Sequence, residues 1–328
     1  MVWKPKEREL TREEAIEEAR KALAPFWYSS PPLFMASLVD SQVRIFPIDA
    51  AFEQKSWMVA LLDPFSPQGV SALKFISQMH QRHTAHGLST CVIFRSTYPF
   101  ARDRDQLQAF LEDLRLPFPV TLDPDGQLHR GFEVSQPIGV SYRLYHAGVC
   151  QAKAEADVAP PSWESELQNF LRAQDPGLAL RPAVDATEYD IKMQGITLKG
   201  GVASSPALRV LGKWEEDRQG GFSLDPHSAL ELDLMDGDVF VLADKQGKTN
   251  LSGVIHVTLN GMSVVPEDRG ESLVELEDGE TGVKVKRARL FHLIQVNEPK
   301  AGLQRLRLEA CSKAEVKTII YRVFVSTR

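Results

Sequence analysis

The sequence predicts an α/β unit followed by an all-β antiparallel sandwich, and three observations carry that reading. Met58 to Leu62 is an apolar run without alternation, the pattern of a strand buried on both faces. It breaks at Asp63-Pro64, just before an amphipathic segment carrying Ala72, Leu73, Phe75, Ile76 and Met79. Leu88 to Phe94 is a second continuous apolar strand, so strand, helix and strand follow one another as in a parallel crossover. From Tyr189 to Arg328 the pattern changes class, to short alternating segments at roughly ten-residue spacing with turn residues between them and no helical period.

The elements follow in order. Thr11-Arg12-Glu13-Glu14 is a capping box opening an amphipathic helix to about Ala24, which Pro25 ends, so residues 1–31 read as a helical extension. Leu38-Val39 and Val43 to Phe46 read as a hairpin turning at Asp40-Ser41. Ser66-Pro67 marks a helix start, with serine suited to the N-cap and proline to the first helical position, and Gly87 is its C-cap. A helix over Asp103 to Leu114, a short strand at Val120 to Leu122 and a hairpin turning at His146-Ala147-Gly148 come next. A helix from Ser162 to Leu171 closes the α/β unit, which spans residues 32–175. Residues 176–186 form a linker by composition, and the sandwich covers 187–328, with Asn260-Gly261 as a strong two-residue hairpin signal.

Composition excludes several functions. The chain has 328 residues, 43% of them hydrophobic and 25% charged, which suits a globular protein with two cores. A net charge of −6 with interspersed cations gives no basic field for nucleic acid. No apolar run is long enough to span a bilayer, and Met1 to Glu7 lacks the apolar core of a signal peptide, so a cytoplasmic protein is expected. Cys91, Cys150 and Cys311 lie far apart, so sequence neighbours build neither a dithiol nor a zinc site, and Cys91 sits inside an apolar strand as a core thiol.

Two resemblances sharpen the picture. The strand leading into Phe65-Ser66-Pro67-Gln68-Gly69, the run Phe118-Pro119-Val120-Thr121-Leu122-Asp123-Pro124-Asp125-Gly126 and Pro137 resemble the thioredoxin superfamily, in particular its TlpA-like redoxin branch. That family carries an aromatic residue and Cys-x-x-Cys at this strand-to-helix junction, where the helix N-terminus favours a thiolate, and a cis-proline at the position matching Pro137. Here Ser66-Pro67-Gln68-Gly69 stands in its place, with no sulfur; in a peroxiredoxin alignment the missing cysteine falls on Gly69. The segments Leu208 to Trp214, Asp238 to Leu242, Val257 to Gly261, Arg289 to Ile294 and Tyr321 to Phe324 resemble the C-terminal region of DipZ-like proteins. There a thioredoxin-like domain precedes a jelly-roll module likened to carbohydrate-binding modules. The fold class implied is an α/β thioredoxin-like domain plus an all-β jelly-roll sandwich.

The candidate sites follow from these readings. Phe65, Ser66, Pro67, Gln68, Gly69 and Pro137 form a degenerate redox site, and if the loop keeps the redox geometry, cysteines at 66 and 69 stand at disulfide separation, roughly 4.4–6.8 Å between Cα atoms. No histidine in the loop activates Ser66. His80, His83 and His86 invite a metal reading, but only His80 and His83 share a helix face, and a solvated helix end fits them. Asp123 and Asp125 read as a turn. Tyr189, Trp214, Phe222 and His227 are the ligand candidates of the sandwich, since exposed aromatic rings stack on sugars, although core packing is the ordinary role of Trp and Phe.

The expected function is a redox-inactive binding or assembly module whose partner is an unidentified protein or a carbohydrate, with no cofactor, no metal and an oligomer open. The rival is an oxidoreductase or peroxidase using Cys91, Cys150 or a partner's thiols.

Overall fold

The computed structural model describes residues between 34 and 326; outside it lie 1–33, 40–41, 48–55, 96–97, 103–109, 111–113, 115, 119, 124–139, 148, 157–161, 185–192, 200–201, 217–220, 226–227, 248, 297–301, 312–315 and 327–328. The helical extension, most of the helix expected at 103–114, and Pro137, Tyr189 and His227 thus fall outside the described residues.

A hairpin of β1 (Phe34–Val39) and β2 (Gln42–Pro47) pairs Val39 with Gln42, so Asp40-Ser41 connects them. The central strand, β3 (Ser56–Leu62), is buried along its whole length, as its unbroken apolar run requires. α1 (Pro67–His83) carries the chain to β4 (Leu88–Phe94), which lies parallel to β3 with Val59 opposite Cys91. β5 (Val120–Leu122) adds in parallel outside β4, while β6 (Val140–His146) and β7 (Val149–Ala156) add antiparallel on the other side. The order β5-β4-β3-β6-β7, parallel pairs on one side and antiparallel pairs on the other, makes a five-stranded mixed sheet. α2 (Ser162–Gln174) covers it with Trp163, Leu167, Phe170 and Leu171, the Trp163 ring standing edge-on to Tyr142 at 4.4 Å.

The chain leaving α2 is tied down rather than loose. Gln168 donates to Arg181 O at 3.0 Å and accepts from Arg181 N–H at 2.9 Å. Arg82 donates to Pro182 O at 2.6 Å, and its Nε lies 2.8 Å from the fully buried Glu164 carboxylate, which also accepts the Val184 N–H. His83 bonds the same carboxylate at 3.1 Å and is itself buried. The solvated helix end expected for the three histidines is therefore corrected at His83, which stitches α1 to α2; burial holds its imidazole below the ordinary range, against the pull of Glu164.

The second half is a sandwich of two antiparallel sheets. One runs β10 (Leu208–Leu211), β13 (Ala229–Leu234), β20 (Gln304–Ala310), β15 (Gly253–Leu259), β18 (Thr281–Val285) and β17 (Val274–Glu275), with β16 (Met262–Ser263) hairpinned onto β15. Asn260 and Gly261 sit at φ 55° and 78° between them, the left-handed pair that a two-residue hairpin of this type needs. The other runs β11 (Trp214–Glu216), β12 (Phe222–Leu224), β21 (Thr318–Ser326), β14 (Gly237–Lys245) and β19 (Arg289–Val296), with β8 (Met193–Lys199) on β21 and β9 (Val202–Ala203) on β8.

This second sheet is buried on both faces. Val239, Val241 and Val323 point into the sandwich, whereas Phe240, Leu242, Tyr321 and Phe324 join the core of the α/β unit. β14 reads apolar from Val239 to Ala243 for the same reason β3 does: neither face meets water. The two halves share one continuous apolar seam.

Candidate functional site

The seam lies over the N-terminus of α1, where the sequence places its degenerate redox site. β3 ends at Leu62, and the chain turns through Asp63, Pro64 and Phe65 before the helix begins. Asp63 Oδ1 accepts the Phe65 N–H at 3.0 Å. Ser66, extended at φ −111° and ψ 149°, donates its hydroxyl to Asp63 O at 3.0 Å and accepts the Gly69 N–H at 3.0 Å. Both the proton and an acceptor lone pair of the Ser66 hydroxyl are thus spent on the backbone, which is N-capping rather than nucleophile chemistry.

Gly69 is the residue this loop cannot replace. A Cβ built there would lie 1.8 Å from Asp63 O and 2.8 Å from Asp63 C. The carbonyl that receives the Ser66 hydroxyl occupies the space of a side chain at 69. A cysteine at 69 would press on Asp63 O, so an engineered 66–69 bridge needs that carbonyl to move.

Packing seals the same place. Phe65 is 2% exposed, edge-on to Phe100 at 4.9 Å and beside Phe110 at 4.8 Å. Phe100 in turn meets Tyr321 of the sandwich at 4.9 Å, and Tyr98 lies 5.9 Å from the same ring. Ser66 and Gln68 are buried, and the Gln68 amide reaches across to donate to Met193 O at 3.2 Å. Lys74 and Glu271 face each other at 3.6 Å on the exposed rim, worth little to stability.

The electrostatics fit a covered site. Desolvation raises the Asp63 carboxyl to about 7, although the Phe65 N–H and the positive charges of Arg322 and Arg95 draw it down. Burial likewise pushes Tyr98 up to about 12, with Arg322 acting against it.

All three cysteines are thiols outside any disulfide. Cys91 is fully buried in β4, opposite Val59. Cys150 is exposed on β7, yet desolvation of its sulfur pushes the thiol up, away from the reactive thiolate, against the pull of Arg143. Cys311 is partly exposed after β20.

Of the aromatic ligand candidates, Phe222 is corrected to the core: it is 2% exposed and offers no face for a sugar ring. Trp214 is half-buried, its Nε1–H held by Leu211 O at 2.8 Å and its ring 6.4 Å from Phe222. The Gly212-Lys213-Trp214 motif has a local explanation: Gly212 turns at φ 84° with Ser228 against it, and the Ser228 hydroxyl bonds both Lys213 N and Lys213 O. Sequence reasoning missed the seam residues Phe240, Tyr321 and Phe324. The signal was present, in the lack of alternation from Val239 to Ala243.

No family model and no curated protein matches the sequence. Among solved structures, a secreted Mycobacterium tuberculosis disulfide oxidoreductase homologous to E. coli DsbE is 19% identical over 39% of this chain and 88% of its own, with a TM-score of 0.29. DsbF of the same organism is 14% identical over 43% and 96%, with a TM-score of 0.31. A family two carbohydrate esterase from Cellvibrio japonicus is 11% identical over 42% of this chain and only 34% of its own length, with a TM-score of 0.30. These are likenesses of parts of the chain at low identity, and nothing on activity rests on them.

Proposed function

We infer that the protein is a redox-silent, thioredoxin-like scaffold fused to a β-sandwich, and that it works as a binding or assembly module. The observation that carries this is the closed N-terminus of α1. Ser66 is engaged as a cap, the side-chain space of Gly69 is filled by Asp63 O, and Tyr321 and Met193 of the sandwich roof the loop. A disulfide substrate needs access to a thiolate at this junction, and the junction offers neither thiolate nor access. The exposed surface of the sandwich is then the part left to bind, and its partner is a protein or a carbohydrate.

The test is turnover. The purified chain should neither reduce insulin disulfides nor consume peroxide with a thiol donor above the protein-free rate. Activity that disappears on Cys150→Ser or Cys91→Ser would replace this reading with a thiol oxidoreductase.

A further inference from the structure

We propose that His256, Asp278 and Glu280 form a site for a divalent transition ion of the zinc type on the outer face of the sandwich. The imidazole and the two carboxylates each supply one donor, and water completes the shell. His256 points outward from β15 between the inward Ile255 and Val257, and its side chain is only 13% exposed. Its partner across the ladder on β18 is Gly282, whose side-chain space is taken by Leu276. On β20 its partner is Glu309, already bound by Arg307 Nε at 3.0 Å.

The telling feature is His256 Nδ1. It is shielded from solvent and makes no hydrogen bond, although Glu280 Oε2 lies only 2.6 Å away. An ordinary ion pair would set the N–H along that line. At 2.6 Å the two atoms stand closer than two ligands of one ion do, and a small rotation of the exposed Glu280 carboxylate opens the gap for one. Nε2 is 3.9 Å from Asp278 Oδ2, and one donor atom from each of the three residues lies within 4.8 Å of the other two.

The carboxylates are held in place by the turn that carries them. Asp278 Oδ1 accepts the Glu280 N–H at 3.2 Å, which leaves Oδ2 for the site. Gly279 N–H to Leu276 O at 3.0 Å and Leu276 N–H to Glu280 O at 2.8 Å close the turn, with Gly279 at φ 80°. Lys284, the nearby cation on β18, is bound to Glu277 at 3.0 Å.

The chemistry selects the ion. A neutral imidazole with two carboxylates balances a divalent charge, and a nitrogen donor favours zinc and its neighbours over calcium or magnesium. Zinc bonds of about 2.0–2.2 Å put two donors on one ion roughly 3.5 Å apart, which these exposed carboxylates reach by small rotations. Both carboxylates are exposed, so the fourth position opens to water or to a ligand that displaces it.

The full-length protein titrated with Co²⁺ as a visible probe tests this. One equivalent should bind with d–d absorption and no thiolate charge transfer, Zn²⁺ should displace it, and His256→Gln should remove that equivalent. Glu280→Gln, at a 56% exposed side chain, should weaken it at least tenfold with the far-ultraviolet circular dichroism unchanged. Cys150→Ser should leave the spectrum as it was. Equal Co²⁺ stoichiometry in the parent and in His256→Gln, or binding that vanishes with Cys150, would overturn the assignment and return the three residues to a surface ion pair.

Discussion

Gly69→Ala sets two effects of opposite sign against each other. Alanine is the better helix former, and inside a helix the change ordinarily stabilises by about 0.5–1 kcal/mol. Here the new methyl would stand 1.8 Å from Asp63 O, so that carbonyl must retreat by roughly 1.6 Å before any normal contact is reached. The retreat breaks the Ser66 hydroxyl bond to Asp63 O and pulls Ser66 off the Gly69 N–H. Losing the cap costs about 1 kcal/mol, and crowding a packed site costs about 1–3 kcal/mol. The propensity gain is outweighed, and the net loss should be about 1–3.5 kcal/mol, a fall in Tm on the order of 2–14 °C. Urea unfolding followed by circular dichroism measures it. Gly87→Ala is the control: Gly87 is left-handed at φ 82° with nothing within 4 Å of its would-be Cβ, so it should show only the conformational cost, about 1 kcal/mol. A Gly69→Ala protein as stable as the parent, or a loss no larger than at Gly87, would refute the closed loop.

Further outcomes follow from the same geometry. Asp63 has a folded pKa of about 7 against an ordinary 3.8. Its contribution is therefore full below 3.8 and is lost as pH rises through 7. Asp63→Asn, which can still accept the Phe65 N–H, should gain stability relative to the parent between pH 4 and 7 and level off above; a difference flat across that range would mean the carboxyl is not desolvated. Tyr321→Ala, which empties the seam beside Phe100, should cost about 3 kcal/mol. It should also raise amide hydrogen exchange at residues 65–70 in the other half of the chain. Unchanged exchange there would argue that the sandwich does not roof the loop.

Much of the fold was legible because its signals are local. Ser66-Pro67 reads as a cap and first turn from residue chemistry alone, and β3, α1 and β4 follow from runs whose length and period leave one assignment. Asn260-Gly261 needs no tertiary information, since both residues tolerate positive φ. What stayed hidden depends on contacts between residues distant in sequence. Gly69 could be read as a lost cysteine, but that the Asp63 carbonyl fills its place is set by how tightly residues 63–66 curl. His83 lies on a helix surface by periodicity and is buried only because α2 brings Glu164 to it. His256, Asp278 and Glu280 come together through the pairing of β15 with β18. Phe222 could have been core or surface, and only the opposite sheet decides.

The double-sided burial of β14 and β21 bears on how this protein can be cut. Residues 176–186 have the composition of a tether, yet Arg181, Pro182 and Val184 are bonded by side chains of α1 and α2. Removing the first half would also bare Phe240, Leu242, Tyr321 and Phe324 on one sheet face. Such a fragment would carry an apolar plate that water opposes and a second copy would cover, so it would tend to associate face to face. A ligand screen on the sandwich alone would then report that artificial face along with the natural one.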